Sequence, residues 1–154
     1  MDQHILLAAR HAVVAREAES LWNQFAGEQV AVRISGAETG GAFSIVEAIL
    51  EPMSGPPLHV HANEDEVILV TEGTLRFVVA DESFDAAAGT IVVVPRGMPH
   101  TWRNLTGTSA RAFGFFTPGG TERMFAQFHG RPAEELTGIA ERHGTIFTGP
   151  PIAA

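Results

Sequence analysis

Residues 56–73 read PPLHVHANEDEVILVTEG, and residues 89–104 read GTIVVVPRGMPHTWRN. In the first stretch His59 and His61 stand one residue apart in a run that Pro56 and Pro57 pre-set as extended. Side chains alternate faces along a strand, so the two imidazoles project to one side, roughly 6–7 Å apart. Glu66 follows after four residues, and Gly73 closes the apolar run behind it. In the second stretch Gly89 permits a turn into IVVV, and Pro95 with Gly97 makes a tight reversal. His100 then starts a strand, with Trp102 and Asn104 on its own face. Three neutral imidazoles and a carboxylate suit one divalent transition metal ion: iron, nickel, manganese, cobalt, copper or zinc. Four protein ligands on an ion that prefers six leave two positions for water, dioxygen or a chelating substrate.

The flanking sequence is patterned for β-structure. QVAVRIS (29–35) alternates apolar and polar residues with period two, and FSIVEAIL (43–50) follows a turn of glycines. EVILV and LRFVV flank a hairpin bend at Gly73, and RAFGFF (111–116) is the last clear strand. Short strands recurring every 8–12 residues or so, with no helical segment between them, indicate a sandwich or barrel. Residues 4–19 read either as an alanine-rich helix or as the start of an edge strand. Beyond TPGG the period becomes helical: ERMFAQF (122–128), then PAEELTGIAERHG (132–144), with Pro132 at its start and Gly144 at its end. Leu136, Ile139 and Ala140 form one stripe of that second helix.

A chain of 154 residues makes a single domain, 1–154, with 45% hydrophobic residues and a formal charge of −8. That acidity opposes a phosphate backbone, so no nucleic-acid partner is expected. There is no cysteine, which removes disulfides and thiolate ligands. No run approaches the roughly 20 apolar residues of a membrane span, and the N-terminus lacks a basic leader, so a cytoplasmic protein without a membrane partner is expected.

The two histidine blocks resemble the two motifs of the cupin superfamily. The second, G-x5-P-x-G-x2-H-x3-N, is complete in residues 89–104, and the first, H-x-H-x4-E-x6-G, is met from His59 to Gly73. The family pattern also has a glycine six residues before the first histidine, where this chain has Met53; Gly55 is a candidate for the same bend. The resemblance implies an all-β jelly-roll barrel, or double-stranded β-helix, of six to eleven strands with the metal inside. Its core would span about residues 29–116, with a helical tail over about 119–146. It carries the family's ligand roles to His59, His61, Glu66 and His100. The tail is similar to that of small bacterial cupins of the quercetinase type, which implies a dioxygenase acting on an enolic or phenolic hydrophobic molecule, with Glu66 also the catalytic base. A non-catalytic metal-assisted binding protein and a metal-dependent isomerase or decarboxylase are the other readings. The resemblance further implies a homodimer, with the N-terminal segment a candidate for an exchanged strand.

Trp102, Phe43, Ile45, Phe77, Phe113 and Phe115 are the candidates for a small-molecule pocket. Asn104 is assigned to fixing a turn or strand end, Glu64 and Asp65 to a solvated acidic edge, and Arg33 and Arg111 to pairing with acids or anchoring an anion. The tail, with MFAQF and IFTGPP, is expected to cap an open end of the barrel or pack on a partner, with a lid over the metal pocket as the alternative.

Overall fold

Alternation of apolar and polar residues gives the strands one face to bury, and two such faces meet in the computed structural model, which describes residues 12–154. The strands are β1 (Trp22–Phe25), β2 (Glu28–Ile34), β3 (Ser44–Leu50), β4 (Leu58–His61), β5 (Asp65–Glu72), β6 (Thr74–Val79), β7 (Glu82–Ala87), β8 (Ile91–Val94), β9 (His100–Arg103), β10 (Ala110–Thr117) and β11 (Thr145–Gly149). They form two antiparallel sheets, a six-stranded one ordered β1-β2-β3-β10-β5-β8 and a five-stranded one ordered β11-β4-β9-β6-β7. The expected jelly roll is therefore present, at the upper end of the expected strand number. Three strands lie outside the sequence reading. β1 and β11 come from segments with no clean alternation, and ESFDAA of β7 has a weak apolar pattern.

Apolar residues from both sheets make the main core, among them Leu50, Ile68, Val70, Leu75, Phe77, Val92 and Val94. A second cluster gathers under the two tail helices, α1 (Arg123–Phe128) and α2 (Ala133–Arg142). Leu136, Ile139 and Ala140 are all buried there, as the stripe requires, against Phe25 of β1 and Phe147 of β11. β1 and β11 are the edges of the two sheets. The helices thus close the gap between those edges, which is the capping role expected of the tail. Residues 12–19 contain no strand, only a short 3-10 turn at Glu17–Glu19, and the rest of the ambiguous segment lies outside the described residues. No helix among the described residues is long and apolar enough to cross a membrane.

The missing family glycine has a local consequence. Met53 itself takes the left-handed conformation, with φ of 67°. It is held there because its N–H donates to the Asn104 carbonyl at 2.7 Å and its carbonyl accepts from Arg103 Nε at 2.9 Å. Gly55 does something different: a Cβ at that position would lie 2.1 Å from the Trp102 carbonyl oxygen. Asn104 is fully buried and holds its turn from both ends of its amide. Nδ2 donates to the Leu50 and Thr108 carbonyls at 3.0 and 2.7 Å, and Oδ1 accepts from the Thr106 N–H at 3.0 Å.

An acid also sits on the inner face. Glu28 of β2 pairs with Leu50 and shares the inward side with Val30; it is 7% exposed, and burial pushes its carboxyl up to about 8. The folded state then holds a proton that the unfolded chain releases above about 4.5. This contribution to stability is complete below pH 4.5 and is lost as pH rises towards 8.

Three outcomes follow for chemical denaturation. Met53→Gly relieves left-handed strain at a 42%-exposed side chain and is expected to stabilise the fold by about 0.5–1 kcal/mol. Gly55→Ala is expected to cost about 2 kcal/mol or more. Glu28→Gln is expected to gain on the wild type as pH rises, by on the order of 3 kcal/mol near pH 8 and little at pH 5; equal differences at both values would contradict the assignment.

Candidate metal centre

β4 and β9 are neighbours in the five-stranded sheet, and His59 pairs directly with His100 across them. His61 lies two residues on, on the same face. Gly97, with φ of 80°, shapes the reversal before β9, and its N–H donates to the His61 carbonyl at 2.8 Å, tying that reversal to β4. Glu66 comes from the opposite sheet, near the start of β5, paired with Val94 and Phe116. The three histidines of one sheet and the carboxylate of the other converge, with one donor atom from each lying within 4.8 Å of all the others. All four residues are 1–3% exposed.

Each ring is oriented from behind. A carbonyl can only accept, so Nδ1–H of His59 donates to Pro57 at 2.8 Å and Nδ1–H of His100 to Met98 at 2.9 Å. His61 Nδ1 lies 3.0 Å from the Thr145 hydroxyl, supplied by β11. Nε2 of each ring is left facing inward. Glu66 Oε2 stands 3.2 Å from His61 Nε2 and 2.9 Å from His100 Nε2. Two donors at right angles on an ion with bonds of about 2.1 Å are about 3 Å apart, so these separations fit adjacent coordination positions.

Burial, reinforced by the two other imidazoles, drives His59 down to about 3, so its ring is neutral. Burial would raise the Glu66 carboxyl, but hydrogen bonds from His100 and His61 and their charge hold it well below the usual range. For His100 burial acts downward, yet its hydrogen bond to Glu66 and that carboxylate's charge prevail and raise it.

Beside the four donors lies a cavity of about 830 Å3, its open mouth included. Its walls are mainly apolar: Val30 and Val46 from the six-stranded sheet, Trp102 from the other, and Phe125, Leu136 and Phe147 from the tail. Trp102 lines it as expected, at 5.7 Å from the His59 ring centroid. Phe113 borders it, though its ring also faces Arg33 at 6.0 Å. Phe43, Ile45, Phe77 and Phe115 are not among the lining residues. The inward positions of β3 and β10 are the even-numbered ones, so Val46 and Phe116 stand in the wall, while Ile45 and Phe115 face away from it. Phe77 is fully buried between Phe84 and Trp102, 5.7 Å from each.

Gly114 matters by absence, because a Cβ there would meet Val46 at 3.1 Å and Glu66 Oε1 at 3.5 Å. Arg33 and Arg111 pair with the buried Glu47 on the outer face of the sheet. Asp65 is half-buried and paired with Arg96 at the edge, but Glu64 is buried, with Oε2 unpartnered. Phe125 and Phe128 of MFAQF and Phe147 of IFTGPP line the cavity, as the lid alternative for the tail had it, whereas sequence reading missed Thr145, since no local spacing links it to His61, 84 residues earlier.

Known proteins place these features. Residues 46–116, which contain all four donors, match the sequence profile of the cupin domain. Quercetin 2,3-dioxygenase of Bacillus subtilis (strain 168) is 39% identical over 80 residues, covering 50% of this chain and 23% of that protein. The chain therefore spans less than a quarter of the length of this curated relative. Among solved structures, KdgF from a Halomonas species superposes with a TM-score of 0.67 at 16% identity, covering 73% of this chain and 99% of that one. A predicted oxalate decarboxylase from Thermotoga maritima gives a TM-score of 0.61 at 21% identity, covering 69% and 99%. At such identities the structures speak for the fold alone. The barrel, the two histidine blocks and the matched segment together identify residues 46–116 as a cupin domain.

Proposed function

We propose that this protein is a metal-dependent dioxygenase acting on a hydrophobic small molecule with an enolic or phenolic hydroxyl. The observation that carries the reading is the apolar and aromatic cavity directly beside four convergent donors. The likeness to quercetin 2,3-dioxygenase supports the substrate class. His59, His61, His100 and Glu66 would hold a divalent transition metal, which when bound supplies Lewis-acid polarisation of the substrate oxygen and electronic access to dioxygen.

The chain's own residues supply the rest. The wall formed by Trp102, Phe116 and Phe147 favours a planar aromatic body over a sugar and keeps water from it. Glu66 enters as a carboxylate beside the donors and takes the proton of the substrate hydroxyl. Thr145, Pro57 and Met98 hold the imidazoles in place during that transfer.

Two measurements test this. Protein purified without added metal is expected to hold about one ion per chain, and the His59→Ala/His61→Ala variant to lose it; stoichiometric metal retained in that variant would remove these residues from the ligand set. Oxygen uptake with flavonols is expected after loading with iron, nickel, manganese or copper, and Glu66→Ala is expected to lower kcat by roughly 100-fold or more. Turnover without oxygen consumption would favour an isomerase or decarboxylase, and tight binding without turnover a binding protein.

A further inference from the structure

Glu28 is a buried acid that the metal centre does not use. It opens β2 on the inner face, beside Val30, and lines the cavity. Among the described residues its carboxyl has neither a hydrogen bond nor an ion pair, and burial is the sole cause of its raised pKa. A surface hollow bounded by Gln24, Gly27, Gln29 and Glu51 also reaches it, so Glu28 stands where the interior meets a second opening. The exposed Glu51 lines that hollow, and the exposed His129 borders it through Gln24, whose N–H donates to His129 Nδ1 at 3.0 Å.

The register places Glu28 far from the metal centre. Glu66 is level with Phe116 and hence with Ser44, whereas Glu28 is level with Leu50, six residues further along β3. Six residues amount to roughly 20 Å along the strand, and the acids are three strands apart in the sheet. After both side chains reach inward, a gap on the order of 15 Å remains, the length of a molecule of three linked rings. Apart from the backbone, Thr145 and the Trp102 indole, whose ring lies 5.7 Å from that of His59, the residues lining the cavity carry polar heads only at these two ends.

We propose that Glu28 is a specificity-determining residue, its carboxyl hydrogen-bonding an oxygen at the far end of an elongated, otherwise apolar ligand whose near end lies at the metal centre. The proposal rests on the substrate class given above. A buried carboxyl without a partner gains most from a ligand that satisfies it and penalises one that does not. In its protonated form, which burial favours, it donates an O–H to a carbonyl or hydroxyl oxygen.

The test is calorimetric titration of nickel-loaded protein under nitrogen with 3-hydroxyflavone and with quercetin. The two share the chelating enol and ketone but differ in oxygens on the outer rings. Wild type is expected to bind quercetin roughly tenfold more tightly. Glu28→Leu, which suits an apolar wall, is expected to erase that preference and leave 3-hydroxyflavone within about twofold. Glu28→Gln, which keeps a donor, is expected to retain most of it. Glu28→Met takes the place of the leucine variant if that does not fold. Equal changes for both ligands, or no change, overturn the proposal.

If neither flavonol binds wild type, the substrate class falls, and Glu28 is decided by thermal shifts of metal-free protein with biphenyl and 4-hydroxybiphenyl. The hydroxylated partner is expected to shift wild type more, with the margin lost in Glu28→Leu. The same margin in both proteins, or no margin in either, overturns the assignment.

Discussion

The organising constraint is a carboxylate from one sheet meeting imidazoles from the other across an apolar interior. Glu66 reaches from β5 to His61 and His100, and every flanking feature makes that meeting possible. Backbone carbonyls of Pro57 and Met98 fix two rings, Gly97 ties the second histidine block to the first, and Gly114 leaves room beside the carboxylate. Four buried polar groups of this kind are costly in an apolar barrel unless they satisfy one another or share a cation. The geometry allows both, with a proton on His100 or with an ion between the donors.

The cavity follows from the same arrangement. Two sheets that meet fully at the β6–β7 side enclose a conventional core around Phe77 and Leu75. At the β1–β11 side they stand apart, and the tail helices bridge the gap with Phe125, Phe128 and Leu136 rather than filling it. Space therefore remains next to the donors, walled by side chains that do not compete for a metal. The two polar ends of that space, Glu66 and Glu28, face it from opposite ends of the six-stranded sheet.

Much of this was legible in the sequence where the signals are local. Period-two alternation, the His59–His61 spacing and the Pro95–Gly97 turn determine strand faces and loop shapes within a few residues. The assignment of ligand roles to His59, His61, Glu66 and His100 came from the resemblance, and the fold brings these four together. Where the wall depends on which of two adjacent aromatics faces inward, local pattern was insufficient: Phe115 and Phe116 are both apolar, and only pairing with β3 and β5 selects Phe116. Glu64 is a similar case, an acid in an acidic run that tertiary packing buries. Thr145 was invisible because β11 acquires its meaning only by docking on β4.

That last docking carries a thermodynamic consequence. β11 lies against the strand that bears two of the histidines, and its Thr145 hydroxyl touches the rear of the His61 ring. Whatever steadies the front of that ring also steadies the final strand, and the reverse holds with equal force because linkage is reciprocal. A cation between the four donors would make fraying of β11 and grip on that cation two readouts of one equilibrium, with the last β-strand as the latch.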